Sequence, residues 1–232
     1  MFRKVMATLL ALVLVLAASL TCAQAESYTI GFAVSTLENP FFVTMKDAAV
    51  AKAAELGVEL VVLDAQDSAE TQASQVEDFI TRGVDLLIIN PVDSDAIGTS
   101  VMACNEANIP VITVTRASNA GTVVQHLDID NKEAGRLDAE QLLKDLDGKG
   151  KVAILEGIAG SSSAIEREEG FVDALKGSEV EVVTSLTANY SREEGATVTE
   201  DILQSNPELD AIYAHNDEMA LGAVRAVAAA GR

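Results

Sequence analysis

The chain has 232 residues, of which 49% are hydrophobic, and its formal net charge at pH 7 is −20. This length allows a sizeable buried core, and the strong negative charge argues against nucleic acid and anionic lipid as partners. Its two cysteines are Cys22 and Cys104. Removal of a leader that contains the first would leave no intramolecular disulfide, so burial of apolar side chains has to stabilise the fold.

Residues 1–25 have the pattern of a cleavable secretory signal peptide. Two basic residues precede an apolar run over residues 9–20, and residues 23–25 form a small-residue cleavage site. The apolar run is short for a retained membrane anchor. An acylated lipoprotein cysteine at Cys22 is the other alternative, which Thr21 in the preceding position disfavours. The sequence therefore predicts export to the periplasm.

Short apolar runs then alternate with longer amphipathic segments, a pattern typical of strands alternating with helices. The predicted strands cover residues 28–35, 58–64, 84–89, 111–114, 123–127, 152–155, 180–185 and 211–214. The predicted helices include residues 44–56, 69–82, 96–107 and 219–230. Gly57 and Gly83 stand where helix C-caps belong. This order predicts parallel sheets built from right-handed βαβ units.

The regular alternation is interrupted between Val114 and Asn131 by a loop, a short strand and residues 128–130. We interpret this interruption as the passage between two lobes. The sequence thus predicts an α/β fold with two Rossmann-like lobes, the N-terminal one over residues 26–129 and the C-terminal one over residues 130–232. Because another strand normally follows a helix such as the last one, we expect the second lobe to be incomplete at its C-terminus.

Polar side chains follow the predicted strands at their carboxyl ends, where open α/β sheets bind ligands. Asn39, Arg116 and Asn216 are interpreted as ligand-binding residues, because planar amides and a guanidinium offer several fixed donors to a small polyhydroxylated molecule. Helix capping is the simpler explanation for a second group. This group comprises Asp64, Gln66, Asp93 and residues 161–163.

The sequence carries no enzyme motif that we recognise. No G-x-S-x-G elbow accompanies His126 or His215, the glycines from residue 157 onward lack phosphate-loop spacing, and no Cys/His cluster predicts a metal site. His126 is interpreted as a packed strand residue and Arg167 as an ion-paired surface residue, whereas His215 neighbours a cleft residue and can hydrogen-bond a ligand. The sequence therefore predicts no catalysis, no metal and no cofactor.

Five stretches, in this order along the chain, resemble the ribose-binding proteins of bacterial ABC sugar importers, within the type 1 periplasmic binding protein family. They are residues 35–42, 87–95, 108–113, 157–160 and 215–222. The resemblance implies two lobes that close on a sugar without a cofactor. It also implies a monomer that delivers the sugar to ABC permease subunits, with a chemoreceptor as a second partner.

The resemblance further implies a set of sugar-binding positions. These are Asn39, Phe41, Phe42, Asn90, Thr115, Arg116, Ile165, Tyr190 and Asn216. Phe41 and Phe42 would sandwich the sugar ring. Arg116, together with the amides of Asn39 and Asn216, would hydrogen-bond the hydroxyl groups.

Three of these positions depart from the ribose pattern. Thr115 stands where an aspartate precedes the loop arginine, Ile165 stands where a second arginine is found, and Tyr190 replaces a phenylalanine. Loss of a charged acceptor and a charged donor removes two strong hydrogen bonds to sugar hydroxyls, so we predict that ribose binds poorly. The family pattern continues beyond residue 232, and we therefore expect weak or absent ligand binding by these 232 residues alone.

A ligand-sensing domain that feeds a chemoreceptor or sensor kinase remains open as an alternative function. It uses the same fold and the same closed surface as a transport subunit, and fold alone does not separate the two. Cytoplasmic repressors share the fold as well, but the predicted signal peptide disfavours them.

Overall fold

The computed structural model describes residues 28–232, so the predicted signal peptide and Cys22 lie outside the described residues. Strands and helices alternate along most of the chain. The strands are β1 (Thr29–Val34), β2 (Glu59–Asp64), β3 (Leu86–Ile89), β4 (Val111–Val114), β5 (Gln125–Leu127), β6 (Lys149–Glu156), β7 (Glu179–Thr187) and β8 (Ala211–Ala214). The helices are α1 (Pro40–Leu56), α2 (Ala69–Arg82), α3 (Ile97–Glu106), α4 (Asn131–Asp145), α5 (Ser162–Leu175), α6 (Arg192–Ser205) and α7 (Asp217–Ala229).

The strands form two parallel sheets, ordered β2-β1-β3-β4-β5 and β7-β6-β8. We call the elements of the first sheet with α1–α3 the first lobe, and those of the second sheet with α4–α7 the second lobe. In each sheet the strand order reverses beside one strand, β1 in the first and β6 in the second. Such a reversal opens a crevice beyond the carboxyl ends of the strands. The predicted α/β fold with parallel, helix-flanked sheets is confirmed.

Both sheets are covered by helices on their two faces. In the first lobe Phe79 and Leu87 belong to the cluster on one face and Phe32 to the cluster on the other. In the second lobe Met219 and Phe171 belong to two such clusters. Burying an aromatic or aliphatic side chain of this size contributes about 1.5–3 kcal/mol each. Within residues 28–232 no helix is both long and apolar enough to cross a membrane.

The beginning of α1 differs from the prediction and places a candidate site residue. The helix begins at Pro40 instead of residue 44, because Asn39 Oδ1 accepts a hydrogen bond from the Phe41 N–H at 2.9 Å and caps it. Pro40 occupies the first helical position, where its missing N–H leaves no intrahelical bond unmade. Gly57 and Gly83 adopt left-handed backbone angles at the ends of α1 and α2, as predicted.

Candidate functional site

A cavity of about 1460 Å³ opens between the two lobes at the carboxyl ends of β4 and β8, and it continues along the whole of β8 to Asp210, beside α4. Seven of the nine predicted site residues line it. They are Asn39, Phe41, Phe42, Thr115, Arg116, Tyr190 and Asn216. Asn90 and Ile165 are not among the lining residues. Residues as far apart in the sequence as 39 and 216 therefore line the same cavity.

Arg116 is the most buried charged group in this cavity wall, with 3% of its surface exposed. Its guanidinium carbon lies 5.5 Å from the centre of the Phe42 ring and 5.2 Å from that of the Tyr190 ring, within cation–π distance of both. Nη1 donates to the Pro91 carbonyl at 3.0 Å. Burial lowers the pKa of Arg116, which nevertheless keeps its charge because an arginine starts from so high a value.

The two phenylalanines take different positions although they are adjacent. Phe42 is 5% exposed and packs with Phe32 and Val34 in the core, whereas Phe41 is 57% exposed. Their ring centres are 5.3 Å apart and the planes are tilted by 78°. Neighbouring residues of a helix point about 100° apart, so one ring joins the core and the other faces the open cavity. Both residues line the cavity, Phe42 with its ring mostly buried and Phe41 with its ring mostly exposed.

The second lobe supplies the opposite aromatic ring, that of Tyr190. Its hydroxyl hydrogen-bonds to the hydroxyls of Ser163 at 3.0 Å and Ser161 at 3.2 Å. Gly157 leaves room for the ring, since a Cβ at that position would lie 2.1 Å from the Tyr190 Cζ. The tyrosine is therefore held at both ends, by a close backbone at its ring and by two serines at its hydroxyl.

Asn39 and Asn216 have matching roles in the two lobes. Asn216 Oδ1 accepts from the Met219 N–H at 2.9 Å and caps α7, as Asn39 caps α1. Asn216 Nδ2 also donates to the Tyr190 carbonyl at 3.2 Å, whereas Asn39 Nδ2 has no hydrogen-bond partner among residues 28–232. The amide of Asn39 is thus the freer donor toward the cavity.

Asn90 and Thr115 form a buried link behind Arg116. Asn90 Nδ2 donates to Thr115 Oγ1 at 2.5 Å and to the Val114 carbonyl at 3.0 Å, and its Oδ1 accepts from the Ser35 N–H at 3.3 Å. These bonds join the ends of β1, β3 and β4. Asn90 therefore supports the cavity wall from behind, which differs from the direct ligand contact that the resemblance implies. Thr115 has a left-handed backbone with φ 58°, unusual for a β-branched residue.

Ile165 and Arg167 exchange the roles that the sequence suggests. Ile165 is 49% exposed on α5 and faces away from the cavity. The interpretation of Arg167 as an ion-paired surface residue is wrong: it lines the cavity, its Nε donates to Asn131 Oδ1 at 2.9 Å, and its Nη1 donates to the His215 carbonyl at 2.5 Å. Arg167 lies three residues after the buried Ala164 and four before the buried Phe171, which is the helical spacing that could have revealed it.

Two buried polar atoms on β8 and its carboxyl end have no partner among the described residues, Tyr213 Oη and His215 Nε2. Both side chains line the cavity. His215 Nδ1 accepts from the Gly157 N–H at 3.2 Å, which places the proton of the neutral ring on Nε2. Burial and the charge of Arg167 lower the pKa of His215 to about 4, so the ring is neutral at pH 7. It presents one N–H donor.

Sequence reasoning also misjudged the other histidine and missed Tyr213. His126 lies on the short strand β5 with an exposed side chain that bonds Thr113 Oγ1 at 2.9 Å, so its interpretation as a packed residue is wrong. The sequence pattern places Tyr213 in the apolar strand over residues 211–214, and its ring stacks on that of Phe171 with ring centres 3.9 Å apart, which agrees with that position. Asp64 and Asp93 accept hydrogen bonds from backbone N–H groups in the loops before α2 and α3, but the N-caps of those helices are Ser68 and Ala96. The expected helix capping is found at Ser161, the N-cap of α5.

The arrangement is that of a binding cavity, and comparison with known proteins identifies its class. A family model described as a periplasmic binding protein domain matches residues 30–232. The Ribose import binding protein RbsB of Haemophilus influenzae is 46% identical over 230 residues, covering 99% of this chain and 78% of the relative.

Solved structures give the same class. The myo-inositol binding protein of Caulobacter, bound to myo-inositol, has a TM-score of 0.85 and 35% identity, covering 91% of this chain and 73% of that one. The fructose binding periplasmic domain of a hybrid two component system has a TM-score of 0.85 and 31% identity, covering 88% of this chain and 69% of that one. These relatives are binding proteins and not enzymes. The chain belongs to the periplasmic binding protein domain family.

Proposed function

We propose that this protein is the solute-binding subunit of an ABC importer and that it captures a monosaccharide or a cyclic polyol between its lobes. The observation that carries the proposal is the position of Arg116 between the rings of Phe42 and Tyr190. Beyond its bond to Pro91, the guanidinium makes no hydrogen bond within residues 28–232. Its remaining N–H groups are available to hydroxyl groups of a ligand, and the rings provide apolar faces beside them.

The binding groups come from both lobes, which suits capture by closure. Asn39, Phe41 and Arg116 belong to the first lobe, and Tyr190 and His215 belong to the second. A ligand that contacts both sets stabilises the closed arrangement by its differential affinity for it. Relatives that bind ribose, fructose and myo-inositol support a small ring with several hydroxyl groups.

The lobes, the location and the partners follow from the same proposal. We place the division between lobes at residues 129 and 130, in the segment that joins β5 to α4. The protein works in the periplasm after removal of residues 1–25, as a monomer that docks on the permease subunits of the importer. A chemoreceptor that recognises the closed form is a second partner of this proposal, and nucleic acid is not a partner.

A periplasmic sensing domain is the second candidate function. Its support is the structural similarity to the fructose binding periplasmic domain of a hybrid two component system. Both functions need the same ligand-driven closure. They differ in the partner, which is a permease for transport and a kinase or chemoreceptor for sensing.

Isothermal titration calorimetry tests the proposed function. The panel contains D-ribose, D-allose, D-fructose and myo-inositol. Each is titrated to millimolar concentration, because we expect these 232 residues alone to bind weakly, and at least one of them should still saturate the protein. Arg116→Lys removes the planar guanidinium and should weaken that binding about tenfold or more, the loss of one or two charged hydrogen bonds. Arg82→Lys, in an exposed ion pair with Asp78, is the matched control. A panel without any binding, with the protein folded, would refute the proposal.

A further inference from the structure

Three hydrogen bonds join the two lobes at one place beside the cavity. The Ser94 N–H donates to the Gly160 carbonyl at 3.0 Å, the Ser162 N–H donates to Ser94 Oγ at 3.2 Å, and the Ala117 N–H donates to Ser162 Oγ at 2.9 Å. We call these four residues the serine clasp. None of the four lines the cavity, so the clasp forms without direct participation of a ligand.

We propose that Ser162 is a positioning residue, which fastens the loop after β4 to the second lobe and so keeps Arg116 between the two rings in the closed protein. The inference rests on the function proposed above. Ser162 Oγ bonds the backbone of Ala117, the residue immediately after Arg116. This hydroxyl therefore holds the backbone just after Arg116, whereas Asn90 holds the backbone just before it through Val114 and Thr115.

The neighbours of Ser162 connect the clasp to the other wall of the cavity. Ser161 and Ser163 both hydrogen-bond to the hydroxyl of Tyr190. Three consecutive serines thus have divided tasks: the outer two hold the ring in the second lobe, and the middle one reaches across to the first lobe. When the three hydrogen bonds of the clasp form, they hold the guanidinium of Arg116 over the ring of Tyr190.

The first-lobe side of the clasp is rigidly supported. Ser94 is buried, and its carbonyl accepts from the Asn119 N–H at 2.8 Å. The loop before it is fixed by the buried Gln72, whose Nε2 donates to the Asn90 carbonyl at 2.8 Å and whose Oε1 accepts from the Val92 N–H at 2.9 Å. A satisfied buried network of this kind fixes geometry. Ser94 is therefore already in position to accept the hydrogen bond from the Ser162 N–H when the lobes meet.

The second-lobe side requires a glycine. Gly160 has φ 83°, and a Cβ there would lie 2.1 Å from Asp93 Oδ2. The carboxylate cannot move away freely, because its Oδ1 accepts from the N–H groups of Asp95 and Ala96 at the approach to α3. Only a residue without a side chain lets the two lobes come this close.

A purely structural role for Ser162 is separable from this one. The N-cap of α5 is Ser161, so removing the Ser162 hydroxyl leaves the cap intact. Its hydroxyl bond crosses between lobes, so its loss affects closure and leaves the folding of each lobe unchanged. Ser178 is a matched contrast, because its hydroxyl also accepts from a backbone N–H, that of Val180 at 3.2 Å, but within the second lobe.

Small-angle X-ray scattering on the whole chain is the direct test, and it is measured without ligand and again with each sugar at millimolar concentration, because the ligand raises the population of the closed form in which the clasp is made. We expect Ser162→Ala to increase the radius of gyration, Ser94→Ala to do the same, and Ser162→Thr, which keeps the hydroxyl, to restore the compact form. Ser178→Ala should leave the scattering curve unchanged. Superimposable curves for Ser162→Ala and the unmodified chain would overturn the proposal, as would opening in Ser178→Ala.

Binding kinetics supply a second readout that stability alone would not change. With whichever of D-ribose, D-fructose or myo-inositol binds, Ser162→Ala should release the ligand about fivefold faster, the loss of one net hydrogen bond, with an unchanged association rate. An unchanged release rate counts against the clasp. If none of the three binds the unmodified chain, the proposed function fails, whereas the scattering comparison still decides the role of Ser162.

Discussion

The guanidinium of Arg116 lies over the ring of Tyr190, with its carbon 5.2 Å from the ring centre, so the two lobes meet at a charged group on an aromatic face. The contact joins the loop after β4 to the loop after β7. The free energy of a cation–π contact is more favourable when the cation and the ring are both shielded from water, and both residues are buried here. The ring of Tyr190 is therefore part of the cavity wall, whereas its hydroxyl is hydrogen-bonded to two serines.

This division of tasks predicts opposite outcomes for two variants of one residue. Tyr190→Phe keeps the ring on Arg116 and removes the bonds to Ser161 and Ser163, so we expect a loss of about 1–2 kcal/mol in the free energy of unfolding and an affinity within about threefold of the unmodified chain. Tyr190→Leu removes the ring and should lower affinity about tenfold. Chemical denaturation and calorimetry measure both. Loss of binding in Tyr190→Phe would show that the hydroxyl contacts the ligand.

A second prediction concerns the glycine behind that ring. Gly157→Ala would place a Cβ 2.1 Å from the Tyr190 Cζ, which forces the ring to move. We expect a destabilisation of about 1–3 kcal/mol, as for other overpacked sites, together with weaker ligand binding. The control is the same substitution in a Tyr190→Ala background, where the clash is absent and the added methyl should cost little. Equal effects in both backgrounds would place the strain elsewhere.

Much of this arrangement could be predicted from the sequence, because parallel sheets bring the ends of their strands to one edge. That rule places Asn39 and Arg116 at one edge of the first sheet and Asn216 at the corresponding edge of the second sheet, and the structure has all three lining one cavity. The cause of the errors is equally physical. Arg167 stands among glutamates, which suggests a surface position, but its helical phase with Ala164 turns it toward the cavity.

Strand ends show the same limit of sequence reasoning. β6 begins at Lys149, three residues before the apolar run starts, because its backbone pairs with Glu179 on β7. Backbone pairing does not depend on side-chain hydrophobicity, so a polar strand end leaves no signal in the pattern. The serine clasp was likewise beyond reach, since the spacing of Ser94 and Ser162 carries no information about contact across the cleft.

A third prediction concerns ligand choice. Thr115 has a left-handed backbone, which an aspartate tolerates better than a β-branched residue. Thr115→Asp should therefore fold at least as well as the unmodified chain and restore a charged acceptor beside Arg116. We expect its affinity for D-ribose to rise about tenfold, the value of one charged hydrogen bond. Thr122→Asp, on the exposed loop before β5, is the control. Tight ribose binding by the unmodified chain would contradict the prediction.

The last prediction concerns the pH dependence of stability. Folding lowers the pKa of His215 from 6.5 to about 4, chiefly by burial and also through the charge of Arg167. Between pH 6.5 and 4 the unfolded chain therefore binds a proton that the folded chain does not, so the free energy of unfolding falls as the pH falls through this range.

His215→Gln keeps an acceptor for the Gly157 N–H but cannot titrate. We expect the unmodified chain to lose roughly 3 kcal/mol relative to this variant between pH 7 and pH 4. Urea denaturation at several pH values measures the difference. Parallel curves for His215→Gln and the unmodified chain would mean that His215 takes up its proton in the folded protein as readily as in the unfolded one.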